Sequence, residues 1–66
     1  MREMKTIFSQ IFNINDKEIT GTVESDRNDL FLILYQDGKE IKRAVYTGSL
    51  VDLEMLTELE RLIEES

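Results

Sequence analysis

The chain has 66 residues, the length of one small domain, and its 14 acidic and 8 basic residues give a formal net charge of −6. It contains neither Cys nor His, which excludes a disulfide, a thiolate or imidazole metal ligand and an imidazole general base. The charge disfavours nucleic acid as a partner and favours basic protein surfaces, including those of proteins that bind DNA. Net negative charge also serves solubility alone, and that interpretation stays open.

The first twelve residues predict an amphipathic helix. Apolar residues recur there at steps of three and four, on one helical stripe: Met1, Met4, Ile7, Phe8, Ile11 and Phe12. The stretch has no apolar run of signal-peptide length, and no segment approaches the roughly 20 apolar residues that cross a bilayer. We therefore expect no membrane partner and a cytoplasmic protein.

Three antiparallel strands are predicted next. Residues 18–25 alternate Ile, Gly and Val with Thr and Glu, which is typical of a strand with one buried face. The segment LFLILYQ, residues 30–36, is apolar at both alternating positions, as expected for a central strand covered on both sides. Asp37-Gly38 predicts a type I′ hairpin turn into the return strand EIKRAVYT.

A second helix is predicted after Gly48. Ser49 is the expected N-cap, and Asp52 three residues later completes a capping box. The expected buried stripe is Leu50, Leu53, Leu56, Leu59 and Ile63, with Met55 and Leu62 beside it. The predicted fold class is α+β in a single domain, residues 1–66: N-terminal helix, three-stranded antiparallel meander, C-terminal helix. If both helices cover one face of the sheet, the other face is left for a partner or a second copy.

The sequence predicts neither an enzyme nor a metalloprotein, and no cofactor. Its serines have no imidazole to activate them, and a domain of this size has little room for a catalytic cleft. The acidic loop at residues 26–29 has too few oxygen ligands for calcium. A basic cluster is formed by Lys39, Lys42 and Arg43. Because the overall charge is negative, we interpret it as a solvated strand edge and not as a nucleic-acid site.

The segment TVES, residues 22–25, carries a resemblance to a known family. The order SQIFNINDKEITGTVES resembles the uracil-DNA glycosylase inhibitors, small acidic proteins of phages and mobile elements whose first strand ends in Glu-Ser-Ile. LILYQDGKEIK is similar to the late hairpin of that family. A smaller phage inhibitor of the same enzyme has a hairpin and then a helix with Ser-Leu-x-Asp-x-Glu-x-Leu, which residues 49–56 repeat. Asp26 stands where the family has Ile.

The resemblance implies a DNA mimic that occupies the DNA-binding groove of uracil-DNA glycosylase in the host cytoplasm. Glu24 and Ser25 would replace phosphate contacts, and an apolar pocket would sequester the side chain that the enzyme inserts into DNA. From patterning we place that pocket between the sheet and the second helix, lined by Val23, Leu32, Val45, Leu53 and Leu56. Acidic support would come from Asp52, Glu54 and Glu58.

Two other functions remain open on the sequence. The same acidic surface would block another host DNA-binding protein, such as a nuclease or a defence complex. Alternatively, the chain is a small interaction module that dimerises through its apolar sheet face. For each pocket residue, ordinary core packing is the competing interpretation.

Overall fold

A four-stranded antiparallel sheet with one helix packed against it makes up the computed structural model, which describes residues 4–65. The elements in chain order are β1 (Lys5–Ile14), β2 (Lys17–Asp26), β3 (Asp29–Gln36), β4 (Lys39–Val45) and α1 (Asp52–Glu64). Each strand pairs with the next, so the sheet order is β1-β2-β3-β4 and the edges are β1 and β4.

The predicted N-terminal helix is wrong, and with it the predicted layout of two helices and three strands. Residues 5–14 form β1, which pairs with β2 from Lys5 opposite Ser25 to Ile14 opposite Lys17. A register shift between Thr6 and Phe8 changes which face the apolar side chains occupy. The fold is predominantly β with one C-terminal helix, and the part of the helix prediction at residues 1–3 lies outside the described residues.

The three predicted strands are present as β2, β3 and β4 in antiparallel order, but they belong to a sheet of four strands and not of three. Asp37 and Gly38 have φ of 53° and 77°, the two positive values of a type I′ turn. β1 and β2 are joined by a similar turn, in which Asn15 and Asp16 have φ of 51° and 64°. Asn and Asp tolerate these values better than other residues with side chains do, so the turn chemistry fixes the register of both hairpins.

The core lies between α1 and one face of the sheet, which we call the covered face. Its buried members are Val23, Leu32, Leu34, Tyr46, Met55, Leu59 and Leu62. Gly21 lets α1 and the Phe12 ring pack closely against β2, because a Cβ there would lie 3.0 Å from the Phe12 ring and 3.1 Å from a Leu59 methyl group. The predicted central strand is confirmed: β3 pairs on both sides, and Leu32, Ile33 and Leu34 are all buried.

Helix α1 begins later than predicted and buries a different stripe. The N-cap residue is Val51, and no side chain caps it, so the predicted capping box of Ser49 and Asp52 is wrong. Met55, Leu59 and Leu62 are the buried residues of α1. Leu50, which precedes the helix, is 56% exposed, and Leu53 is 72% exposed because it lies on the side of α1 away from the buried stripe.

Candidate functional site

Glu24 lies on the face of the sheet opposite α1, which we call the helix-free face. The side chain is only 8% exposed. Its Oε2 atom accepts hydrogen bonds from the hydroxyls of Thr22 and Tyr35, each at 2.7 Å. The carboxylate is therefore committed to internal partners within the sheet, whereas the sequence led us to expect a group exposed at a strand end.

Ile33 is fully buried beside this cluster, although α1 covers the other face. Its cross-strand partners are Thr22 and Arg43. The Arg43 guanidinium lies 5.6 Å from the centroid of the Phe31 ring and donates to both carboxylate oxygens of Glu40, at 3.1 and 2.8 Å. Polar and aromatic side chains on the helix-free face thus close over its apolar centre.

The acid–base properties of this cluster point to a structural role. Burial, and then the hydrogen bond to Glu24, raises the pKa of Tyr35 to about 12. The hydrogen bond with Arg43 holds the pKa of Glu40 below its usual value, and the same bond raises the pKa of Arg43. The phenol and the guanidinium both stay protonated at neutral pH, so each remains a hydrogen-bond donor to its glutamate.

A second polar cluster joins the start of α1 to the end of β4. The Oε2 atom of Glu54 accepts hydrogen bonds from the backbone N–H of Ser49, from its hydroxyl at 3.0 Å and from the Tyr46 hydroxyl at 3.0 Å. These bonds, led by the Ser49 backbone N–H, hold the pKa of Glu54 below its usual value. Burial raises the pKa of Tyr46 to about 12. Glu54 therefore links the loop at Ser49 to the first turn of α1 by hydrogen bonds, which is part of the role expected of the capping box.

Helix α1 carries most of the net charge of the chain. Residues 52–65 contain one base, Arg61, and six acids: Asp52, Glu54, Glu58, Glu60, Glu64 and Glu65. They account for five of the six net negative charges. At a rise of about 1.5 Å per residue the segment spans about 20 Å, or one net charge per ~4 Å. A single DNA strand carries one charge per about 3.4 Å of axis.

The structure brings together three of the residues proposed for the binding site. Val45, Glu54 and Glu58 line a recess of about 310 Å³ between the end of β4 and the start of α1. Tyr46, Thr47 and Gly48 complete its lining. The Oε2 atom of Glu58 lies 3.4 Å from a guanidinium nitrogen of Arg61, one turn further along α1. Among the residues proposed for the site, these three line one recess, and the side chain of Val45 points to the helix-free face.

The other proposed site residues lie apart from that recess. Val23 and Leu32 are core residues at 0% and 4% exposure, Leu53 is 72% exposed, and Leu56 is half-buried. Glu24 lies on the helix-free face, so the sheet separates it from the acids of α1, including Asp52. Ser25 is near the β2–β3 turn, where its hydroxyl donates to the Arg27 carbonyl at 3.4 Å.

Sequence reasoning did not single out Tyr35 or Tyr46 as members of polar clusters. A signal was present, because the hydroxyl of a Tyr needs a hydrogen-bond partner when the residue is buried. Both residues meet that need with a glutamate, Glu24 in one case and Glu54 in the other. The identity of the partner depends on the register of β2 and β3 in one case and on the placement of α1 in the other, and the local sequence contains neither.

Two kinds of site are absent from residues 4–65. No three acidic side chains in this part of the chain converge in a way that could hold a metal ion. Its single helix is too short and too polar to cross a membrane. Comparison with known proteins found no matching family model, curated protein or solved structure.

Proposed function

We propose that this chain is a DNA mimic that occupies the DNA-binding groove of a partner protein, with α1 as the contact surface. The observation that carries the proposal is the concentration of net charge on one helix, at a linear density near that of a single DNA strand. Proteins that hold DNA do so largely through Lys and Arg contacts to phosphates, which carry no sequence information. Fixed carboxylates satisfy the same contacts.

The packing of α1 supports this role. Met55, Leu59 and Leu62 fix the helix on the sheet, so its exposed carboxylates are held on ordered backbone. When a partner binds these carboxylates, little further ordering of α1 is needed, and this lowers the entropic cost of binding. The recess beside Glu54 and Glu58 offers space for a side chain of the partner.

The target we propose is uracil-DNA glycosylase, because two segments, TVES and residues 49–56, resemble segments of proteins that inhibit this enzyme. TVES lies in β2, and Glu24 within it has internal hydrogen-bond partners. Residues 49–56 lead into α1 and include Glu54, so the second segment is the one that lies on the proposed contact surface. A nuclease or a defence complex with a basic DNA groove is the alternative target for the same surface.

A uracil-excision assay tests the target and the surface together. The purified chain in molar excess is expected to inhibit excision. The variant E60Q/E64Q/E65Q removes three exposed acids from the C-terminal part of α1 and should weaken inhibition about 10- to 100-fold, at roughly 0.5–1 kcal/mol per lost charge contact. The helix should tolerate it, because acids at a helix C-terminus oppose the dipole.

The matched control is D16N/E18Q/D37N, which removes the same charge from exposed positions around the hairpin turns. It should inhibit as the parent does. Undiminished excision in the presence of excess parent chain rules out the glycosylase as the target. Inhibition that falls equally in both triple variants contradicts the role of α1, because net charge alone would then explain the effect.

A further inference from the structure

The two edges of the sheet are protected very differently. β4 carries four charged residues among its seven: Lys39, Glu40, Lys42 and Arg43. β1 has ten residues, and after Lys5 none of them is charged. An edge strand exposes unpaired backbone N–H and C=O groups, and charged side chains are a common means of preventing another strand from pairing there. By this criterion β4 is closed to strand addition and β1 is open.

The open edge is long and partly apolar. Beyond the register shift near Ile7, residues 8–14 pair regularly with β2, and they span about 24 Å at about 3.4 Å per residue. Ile11 is 53% exposed, and Phe8, Phe12 and Ile14 are only half-buried in the single chain. A strand laid beside β1 would satisfy its free backbone groups and cover these side chains.

We infer that the strand that pairs with β1 is β1 of a second copy, in antiparallel orientation about a twofold axis. Such a contact is self-complementary, because each copy offers the other the same edge. Two four-stranded sheets then become one continuous eight-stranded sheet. The contact does not use the exposed surface of α1 and stands independently of the proposed function.

The charges at the two ends of β1 favour this orientation. Lys5 is at the start of the strand. At the other end, Glu60 and Glu64 of α1 lie beside Asn13 and Ile14, and Asp16 follows in the turn. Antiparallel pairing brings Lys5 of each copy toward the acidic end of the other. It also places the acidic C-terminal ends of the two helices at opposite ends of the shared strand pair, which limits their repulsion.

Sedimentation equilibrium over a range of concentrations tests the inference, with two matched variants. Ile11→Lys places a charge at an exposed position of β1, and Val45→Lys places the same charge at a 67% exposed position of β4. We expect the parent and Val45→Lys to approach twice the monomer mass as concentration rises. Ile11→Lys should dimerise at least about tenfold more weakly, because pairing would bring two added lysines together.

Three outcomes of the sedimentation experiment would overturn the inference. The parent stays a monomer at every concentration, Val45→Lys alone loses the dimer, or both variants lose it equally. The last result would indicate association through the helix-free face, where both side chains lie. Amide hydrogen exchange of the parent gives a second readout that needs no variant: the amides of residues 8–14 should gain protection as the concentration rises. Unchanged exchange across β1 in a dimer would equally overturn it.

Discussion

The covered face and the helix-free face of the sheet are both buried at their centres, but by different means. Under α1 the centre is apolar: Val23, Leu59 and their neighbours exclude water through packing alone. On the helix-free face, Ile33 is buried within a ring of hydrogen-bonded and aromatic side chains. One short helix can cover only one face of a sheet, so the other face must be closed by the side chains it carries.

The difference predicts different responses to mutation. Apolar packing loses free energy in proportion to the area and volume that a substitution removes. A buried hydrogen-bonded cluster responds to whether each polar group keeps a partner, because an unsatisfied group retains its full desolvation penalty. Substitutions matched in size but different in hydrogen bonding separate the two cases.

The largest expected effect is on the covered face. Leu59→Ala removes a fully buried side chain and should lower the free energy of unfolding by about 2–5 kcal/mol, measured by urea denaturation. Leu53→Ala, the control at a 72% exposed position of the same helix, should change it by less than about 0.5 kcal/mol. Equal effects of the two substitutions would mean that α1 packs through another stripe.

On the helix-free face, Glu24→Ala should lower the free energy of unfolding by about 1–3 kcal/mol, because the hydroxyls of Thr22 and Tyr35 lose their shared acceptor. Glu24→Gln keeps an acceptor oxygen in nearly the same volume and should cost less. The same urea titration compares them. If both variants unfold at the parent's midpoint, the Glu24 cluster does not stabilise the sheet and the carboxylate is free for another role.

Each side of the sheet also carries one tyrosine whose pKa is raised to about 12: Tyr35 on the helix-free face and Tyr46 on the covered face. A folded-state pKa above the ordinary value of about 10 means that the folded state holds the proton more tightly. Their contribution to stability is present below about pH 10 and is lost as the pH rises toward 12.

Ultraviolet absorbance of the phenolates, followed against pH, measures this directly. Tyr35→Phe and Tyr46→Phe should each remove one of two late titrations. A parent protein in which one tyrosine titrates at its ordinary value would show that its hydrogen bond to glutamate is not maintained in solution.

The smallest expected effect is at Arg43. Its ion pair with Glu40 is about 40% exposed, and its contact with Phe31 is partly solvated, so Arg43→Gln should lower the free energy of unfolding less than the substitutions at Leu59 and Glu24 do. Urea denaturation at low and high salt checks it, and salt should reduce the difference. A loss comparable to that of Leu59→Ala would show that Arg43 is essential for covering Ile33.

The sequence was sufficient where a local pattern determines the structure. The Asp37-Gly38 turn has one favoured geometry, and the doubly apolar β3 has a central place in the sheet; both predictions are confirmed. The prediction of an N-terminal helix was wrong because the spacing of four apolar residues fits both a helix and a strand: Ile7, Phe8, Ile11 and Phe12. Their spacing makes a helical stripe, but a strand with an irregularity at Ile7 also accommodates it, with Phe8 and Phe12 toward the core and Ile11 toward the helix-free face.

The site was harder to predict than the fold because its contacts join distant residues. Glu24 and Tyr35 are eleven residues apart in sequence, so their hydrogen bond forms only when β2 and β3 pair. Glu54 takes both hydrogen bonds from Ser49, although Asp52 has the spacing of a capping box. The acidic surface of α1, by contrast, follows from composition and helical periodicity, and this is the part of the proposed site that the sequence made visible.

Amide chemical-shift mapping of the isotope-labelled chain, with unlabelled uracil-DNA glycosylase added, tests the role of α1 most directly. The proposal predicts that the largest changes fall on residues 52–65 and on the loop at residues 46–49, and that they diminish as salt is raised. Changes centred on Glu24 and Ser25 with α1 unaffected, or no changes at all, would contradict it.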